Sequence, residues 1–251
     1  MIHRIALLGL LSAGLLHAET FRDAYAQTHP LDAHGMIRID NTNGAIVIKT
    51  WDRPEVSVEV EKRASSEDYL KEIDVAIDSD PHSLSIKTRF PSHPLSWLRN
   101  WGGNQAEVHL VLMVPASVDL NDITLVNGSI TIDGVHGAID VHTINGGIHA
   151  TGVGDHADLS TVNGTIHAEV TALGSSGHLH LSTINGSISV LLAKDAGATF
   201  RASTVNGSTS CEFPIRLTES SHRRGMNGVI GAGGGSIVAT TVNGSVHLQS
   251  L

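Results

Sequence analysis

Six times after residue 120 the chain sets a β-branched residue before Asn-Gly: Val126-Asn127-Gly128, Ile144-Asn145-Gly146, Val162-Asn163-Gly164, Ile184-Asn185-Gly186, Val205-Asn206-Gly207 and Val242-Asn243-Gly244. Successive asparagines lie 18, 18, 22, 21 and 37 residues apart. Self-similarity at such a period marks a structure made of stacked units. Each unit reads as strand, because helical periodicity is absent and the residues around Asn-Gly alternate. Six and four residues before Asn stand mostly apolar pairs (Ile139 and Val141, Ala157 and Leu159, Leu179 and Leu181, Phe200 and Ala202, Ile237 and Ala239) with polar residues between them. One face is therefore buried and the other wet.

The alternation is then expected to slip. Thr143, Thr161, Thr183, Thr204 and Thr241 stand two before Asn, and an aliphatic residue directly precedes it. Such a change of phase predicts a corner or bulge. Asn and Gly suit a corner because both tolerate positive φ. Beyond it the apolar face resumes at Ile130, Ile148, Ile166, Ile188 and Val246, with Thr209 the exception. A unit of two short strands cannot bury its apolar face alone, but stacked units share a continuous core. The expected fold is all-β, a β-solenoid of about 20-residue repeats. Its asparagines are expected to form an amide ladder at the inter-strand spacing of roughly 4.8 Å. Recurrence in every unit assigns Asn-Gly to structure, since a catalytic residue is needed once.

The segment before the repeats also reads as β. Gly35 to Thr50 alternates around an earlier Asn43-Gly44, Val56 to Val60 continues, and Ser66-Glu67-Asp68 opens a short helical turn. A hairpin over Ile73–Ile77 and Leu84–Thr88 follows, then a Pro/Gly-bounded loop from Phe90 to Gln105, then a strand over Val108–Val114. Trp97 and Trp101 in that loop are the candidate ligand platform or the plug over a solenoid end. The expected organisation is a signal peptide over 1–18, an N-terminal extension over 19–33, an N-terminal β segment over 34–116, and repeats of the same domain over 117–251. The first segment rests on a basic start, an apolar run from Ile5 to Leu16 and a small residue at Ala18. The chain is thus expected to be periplasmic or secreted after cleavage near Ala18. The apolar run is too short for a span, and no transmembrane segment is expected in the mature chain.

Composition narrows the partners. A net charge of −9, with Lys194 and Arg201 alone basic between Ser117 and Ser210, cannot neutralise a phosphate backbone. Nucleic acid is therefore excluded as a partner. Cys211, the single cysteine, allows no internal disulfide and reads as a small buried apolar residue. Asp133, Asp140, Asp155 and Asp158 are the carboxylates available to a glycosidase, and they read better as turn and outward strand residues. Gly231 to Gly235 lacks the helix and Lys-Ser/Thr of a phosphate loop, and no cofactor motif is present. Four residues after Asn, His149 and His167 are spaced like the asparagines and should stack on adjacent units. They are the candidate metal ligands, although two ligands alone make no assignable site.

The Asn-Thr-Asn-Gly-Ala-Ile segment with Trp51-Asp52, the Val-Leu-Met-Val-Pro strand at 111–115, and the Thr-Val-Asn-Gly-Ser-Ile units resemble the bacterial putative-adhesin family, domain of unknown function 4097. The resemblance runs from about Gly35 to the C-terminus, and the Trp97 loop departs from it. It implies an envelope or secreted β-strand-repeat protein with no catalytic residues to carry over. The function expected is that of a non-enzymatic adhesin-like or scaffold protein presenting a repetitive surface to an unknown envelope protein or glycan. The alternative is a carbohydrate-active β-helix enzyme or a surface polysaccharide-binding protein.

Overall fold

The computed structural model describes residues 20–91, 106–171, 173–217 and 224–251. The first part of the chain forms β1 (Phe21–Pro30), β2 (Met36–Asn43), β3 (Ile46–Trp51), β4 (Glu55–Ala64), α1 (Glu67–Glu72), β5 (Asp74–Asp80), β6 (Ser83–Arg89) and β7 (Ala106–Pro115). Four strand pairs follow, each joined at Asn-Gly: β8 (Asp119–Asn127) and β9 (Ile130–Asp133), β10 (Ile139–Asn145) and β11 (Ile148–Val153), β12 (His156–Asn163) and β13 (Ile166–Val170), β14 (His178–Asn185) and β15 (Ile188–Leu192). Then come β16 (Ala198–Asn206) and β17 (Thr209–Cys211), β18 (Ile215–Leu217), β19 (Gly225–Ile230), and the last pair, β20 (Gly235–Asn243) and β21 (Val246–Ser250).

Every Asn-Gly corner of the stack passes the chain between two mixed sheets. Strands entering the corner belong to an eleven-stranded sheet ordered β18-β19-β16-β20-β14-β12-β10-β8-β2-β6-β5. Strands leaving it belong to a ten-stranded sheet ordered β1-β4-β7-β3-β9-β11-β13-β15-β21-β17. Equivalent strands pair in parallel and in register, asparagine opposite asparagine from Asn43 through Asn127, Asn145, Asn163, Asn185 and Asn243 to Asn206. The inward residues of both sheets form a single buried cluster, with Ile130, Ile148, Ile166, Ile188 and Val246 all at its centre. Each sheet buries one face against the other and leaves its outer face to solvent, as the alternation along every strand requires. Residues 21–30, within the expected N-terminal extension, form β1, antiparallel to β4. Ser66 caps α1 by accepting the Tyr69 N–H at 3.2 Å.

Two local expectations are corrected. The alternation does not slip at threonine: Thr143, Thr161, Thr183, Thr204 and Thr241 continue the inward face, and the aliphatic residue after each points outward. The bulge in these strands lies elsewhere, where β8 sets Asn121 and Asp122 against one residue of β10 and Asp122 takes φ 73°. None of the corner asparagines has positive φ; Asp122 is the non-glycine residue that does among those described. The stack also departs from chain order, because β20 lies between β14 and β16. Its cause is β19, which pairs antiparallel with one edge of β16 and leaves the other edge to the last strand.

Glycine at the corner is required by contact rather than by φ alone. A Cβ on Gly128 would stand 1.7 Å from the Gly44 carbonyl oxygen, and one on Gly186 would stand 1.8 Å from that of Gly164. Gly128 also holds φ +143°. Gly225, by contrast, has among the described residues no atom nearer than the Ala202 carbonyl oxygen at 3.8 Å. Gly128→Ala should therefore cost at least about 2 kcal/mol, while Gly225→Ala stays within about 0.5 kcal/mol of the parent. Urea denaturation of both variants measures this; equal midpoints would mean that the corner yields.

Candidate functional site

Seven corner asparagines form a continuous amide chain. Asn127 Nδ2 donates to Asn43 Oδ1 (2.7 Å), Asn145 to Asn127 (2.9 Å), Asn163 to Asn145 (2.9 Å), Asn185 to Asn163 (2.8 Å), Asn243 to Asn185 (2.7 Å) and Asn206 to Asn243 (2.8 Å). The backbone runs the opposite way. The N–H groups of Gly44, Gly128, Gly146, Gly164, Gly186 and Gly244 each donate to the asparagine carbonyl of the next unit. Side-chain and backbone dipoles thus oppose one another along the corner, which limits the field such a column would build.

The inward threonines complete the corner. Thr161 Oγ1 donates to the Gly146 carbonyl (3.0 Å), Thr183 to Gly164 (3.0 Å), Thr241 to Gly186 (2.9 Å) and Thr204 to Gly244 (2.8 Å). Thr143 is equally buried, but its Oγ1 has no partner. Sequence reasoning missed this role; the signal was a hydroxyl recurring on the apolar phase.

With threonine facing inward, the β-branched residues must face out. Ile144 (45% exposed), Ile184 (46%), Val205 (56%) and Val242 (37%) form an aliphatic ridge with the half-buried Val126 and Val162. Beside it runs a shallow groove of about 340 Å³, whose lining includes Thr124, His142, Ser160 and Ser182 on one side and Ile144, Val162 and Ile184 on the other. Ser160 Oγ lies 2.5 Å from His142 Nδ1, and His142 Nε2 lies 2.8 Å from Asp140 Oδ1. The order of groups matches nucleophile, base and orienter. However, these residues stand mid-sheet, where backbone N–H groups are committed to the flanking parallel strands and give no oxyanion hole. The arrangement is a polar surface chain.

The remaining candidates fall in separate places. Asp133 accepts from Thr151 Oγ1 (3.1 Å) on the ten-stranded sheet, Asp155 accepts the Gly174 N–H (2.8 Å), and Asp140 and Asp158 are register partners on the other sheet. The four carboxylates do not converge. Gly231, Gly233 and Gly234 take positive φ in the turn between β19 and β20. Cys211 is half-buried and burial pushes its thiol up, away from the reactive range. Trp97 and Trp101 lie outside the described residues. Among the described residues, no group of three or more His, Cys, Asp or Glu is placed to hold a metal, and no helix is long and apolar enough to cross a membrane.

His149 and His167 are register partners with rings stacked at 4.6 Å and 15°. Continuing that column, Ser189 bonds Gln249 (3.0 Å) and His247 Nδ1 bonds Ser210 (2.8 Å). Burial, and then the nearby His149, lower the His167 pKa, with Glu169 opposing. Burial lowers that of His29 as well.

No family model matches the chain, and no curated protein matches it, so the family resemblance rests on the motifs that suggested it. Solved structures show distant likenesses. A putative cell adhesion protein from Clostridium sporogenes shares 10% identity over 91% of this chain and 100% of its own, with a TM-score of 0.42. A putative adhesin from Bacteroides fragilis gives 10% identity, 91% and 97% coverage and a TM-score of 0.36. A putative lipid binding protein from Parabacteroides distasonis gives 9%, with 91% and 97% coverage and 0.32. At such distances the likenesses carry no argument about this chain.

Two outcomes follow from these contacts. Thr183→Val should lower stability by about 1 kcal/mol, whereas Thr143→Val should be neutral or stabilising because it removes an unpartnered buried hydroxyl; matched denaturation curves for the two would dispose of this account. For His167, the unfolded chain binds a proton more readily than the folded one, so stability present above about 6.5 is lost as pH falls from there through the folded pKa. Melting midpoints between about pH 7.5 and about pH 5 should drop, and His167→Gln should flatten part of the drop, with His29 contributing in the same direction. An unaltered slope in the variant would rule out the His167 contribution.

Proposed function

We propose that the chain is a β-solenoid scaffold of the adhesin-like kind, exported from the cytoplasm, that binds an envelope partner along its aliphatic ridge without catalysing a reaction. The observation that carries this reading is the ridge itself. Four large aliphatic side chains more than a third exposed, repeated at one position of successive units, are a contiguous apolar feature of the sort that marks an interaction surface. Parallel pairing of β2 with β8 and of β3 with β9 supports treating 34–116 and 117–251 as parts of one domain. The basic start and apolar run before Ala18 support export.

The partner class follows from the groove. Hydroxyls of Thr124, Ser160 and Ser182 and the imidazole of His142 stand opposite Ile144, Val162 and Ile184. A sugar ring has the same division, with hydroxyls at its edge and C–H groups on its faces. An envelope glycan therefore fits the lining best, and an envelope protein is the alternative.

The test uses residues 19–251 on a glycan array and in pull-downs from envelope extract. Saturable binding without turnover is expected, and Ile144→Ser with Ile184→Ser should abolish it while leaving the melting midpoint unchanged, since exposed substitutions cost within about 0.5 kcal/mol. Retained binding in the double variant would remove the ridge as the contact surface. Release of cleaved polysaccharide would instead establish the enzyme reading.

A further inference from the structure

The seven stacked Asn-Gly corners have one sequence chemistry but not one environment. At six of them the glycine N–H donates to a neighbouring asparagine carbonyl at 2.9–3.0 Å. Gly207 is the end of the series, and among the described residues its N–H meets no acceptor. Gly207 is also exposed, whereas Gly44, Gly128, Gly146, Gly164, Gly186 and Gly244 are half-buried. Asn206 is held by its donation to Asn243 Oδ1, but its own Oδ1 receives no bond from a further unit. The strand that follows, β17, has three residues and, among the described residues, pairs with β21 alone.

These facts meet in a reaction that Asn-Gly undergoes without an enzyme. The backbone nitrogen after asparagine loses its proton to solvent base and attacks the side-chain Cγ. The Cγ–Nδ2 bond breaks, and the nitrogen leaves as ammonia after taking a proton from water. The five-membered imide that results is opened by a second water molecule, giving aspartate or isoaspartate. The net change consumes one water and releases one ammonia, with no oxidant or reductant. In the interior corners the attacking nitrogen is tied to the next unit, and both the asparagine carbonyl and amide are engaged as well. Reaction there requires opening the stack, whereas a terminal unit frays at small cost.

We propose that Asn206-Gly207 is a self-modification site, deamidating ahead of every other Asn-Gly in the folded protein. Opposite ends of the stack differ for a structural reason. Asn43-Gly44 is covered by β7, with a Cβ on Gly44 meeting the Val108 carbonyl oxygen at 2.2 Å. Asn227-Gly228, which lies outside the ladder, is enclosed between β16 and β18. Aspartate at 206 would lose the donor that reaches Asn243, and isoaspartate would lengthen the backbone at that point and break the pairing of β17. The product is thus a loosened, more negative last unit.

The measurement is peptide mass spectrometry after incubating the full folded protein in mildly alkaline heavy-oxygen water. Trypsin frees Ala202–Arg216, which contains Asn206 as its one asparagine, and fragmentation locates the label in the other peptides. Label at Asn206 should build up at least about tenfold faster than at any other Asn-Gly, since opening energies differ between frayed and interior units. In denaturant the Asn-Gly sites should react within about twofold of one another, because tertiary protection is gone. Comparable rates at Asn206 and an interior asparagine in the folded protein would overturn the proposal. So would faster reaction at Asn43 or Asn227, no labelling at all, or an Asn206 lead that persists in denaturant.

Discussion

The close approach of one unit's glycine to the next unit's carbonyl is the constraint on which the rest of the molecule depends. With Gly128 against the Gly44 carbonyl and Gly146 against that of Gly128, no side chain fits at the corner. The backbone there is free to hydrogen-bond across units as a strand does, so parallel pairing continues through the bend. The asparagine amides add a second hydrogen-bonded column of opposite polarity. Because buried or half-buried polar groups are costly unless paired, this double column lets a tight corner recur without accumulating orphaned donors.

That corner decides where neighbouring residues point. Alternation carried into Asn places the threonine inward and the aliphatic residue outward. The threonine is tolerated inside because its hydroxyl finds the Gly carbonyl of the adjoining unit, as Thr161 finds Gly146. The aliphatic residue is left partly exposed. The molecule therefore displays on its surface side chains whose type suits a strand and whose exposure suits contact with something else.

The two ends of the stack are built differently. At the start, β7 continues the parallel array beside β3, and β4 and β1 extend the ten-stranded sheet from it by successive antiparallel pairing. Lys62–Asp23 and Lys87–Asp40 ion pairs dress this part with both signs of charge. At the other end, β19 and β18 close the eleven-stranded sheet, but the ten-stranded sheet ends at the short β17. The result is a stack whose first end is closed by the long β1 and β5 and whose other end finishes on two three-residue strands, β17 and β18, with its last corner open to water.

Much of this was legible in residues alone. Asn-Gly recurrence with flanking alternation identified the strand pairs and the inward aliphatics from Ile139 to Val246, because period and β-propensity are local properties. The short helix after Ser66 and the β5–β6 hairpin were legible for the same reason. Four matters were not. Threonine recurs on the apolar phase, but its acceptor, a carbonyl in another unit, could not be read; nor could the outward ridge, which follows from the inward threonine. The pairing of β1 with β4 joins Phe21 to Ala64, a contact no local pattern announces. The 37-residue gap before Asn243 leaves room for β18 and β19, but only the sheet showed that β20 takes the place between β14 and β16. Sequence by itself determined the repeating strand and its glycine corner, because these depend on residues a few positions apart. Tertiary structure decided the order of units, the exposed face and the one unprotected corner, because each is fixed by which backbone edge remains for another strand to occupy.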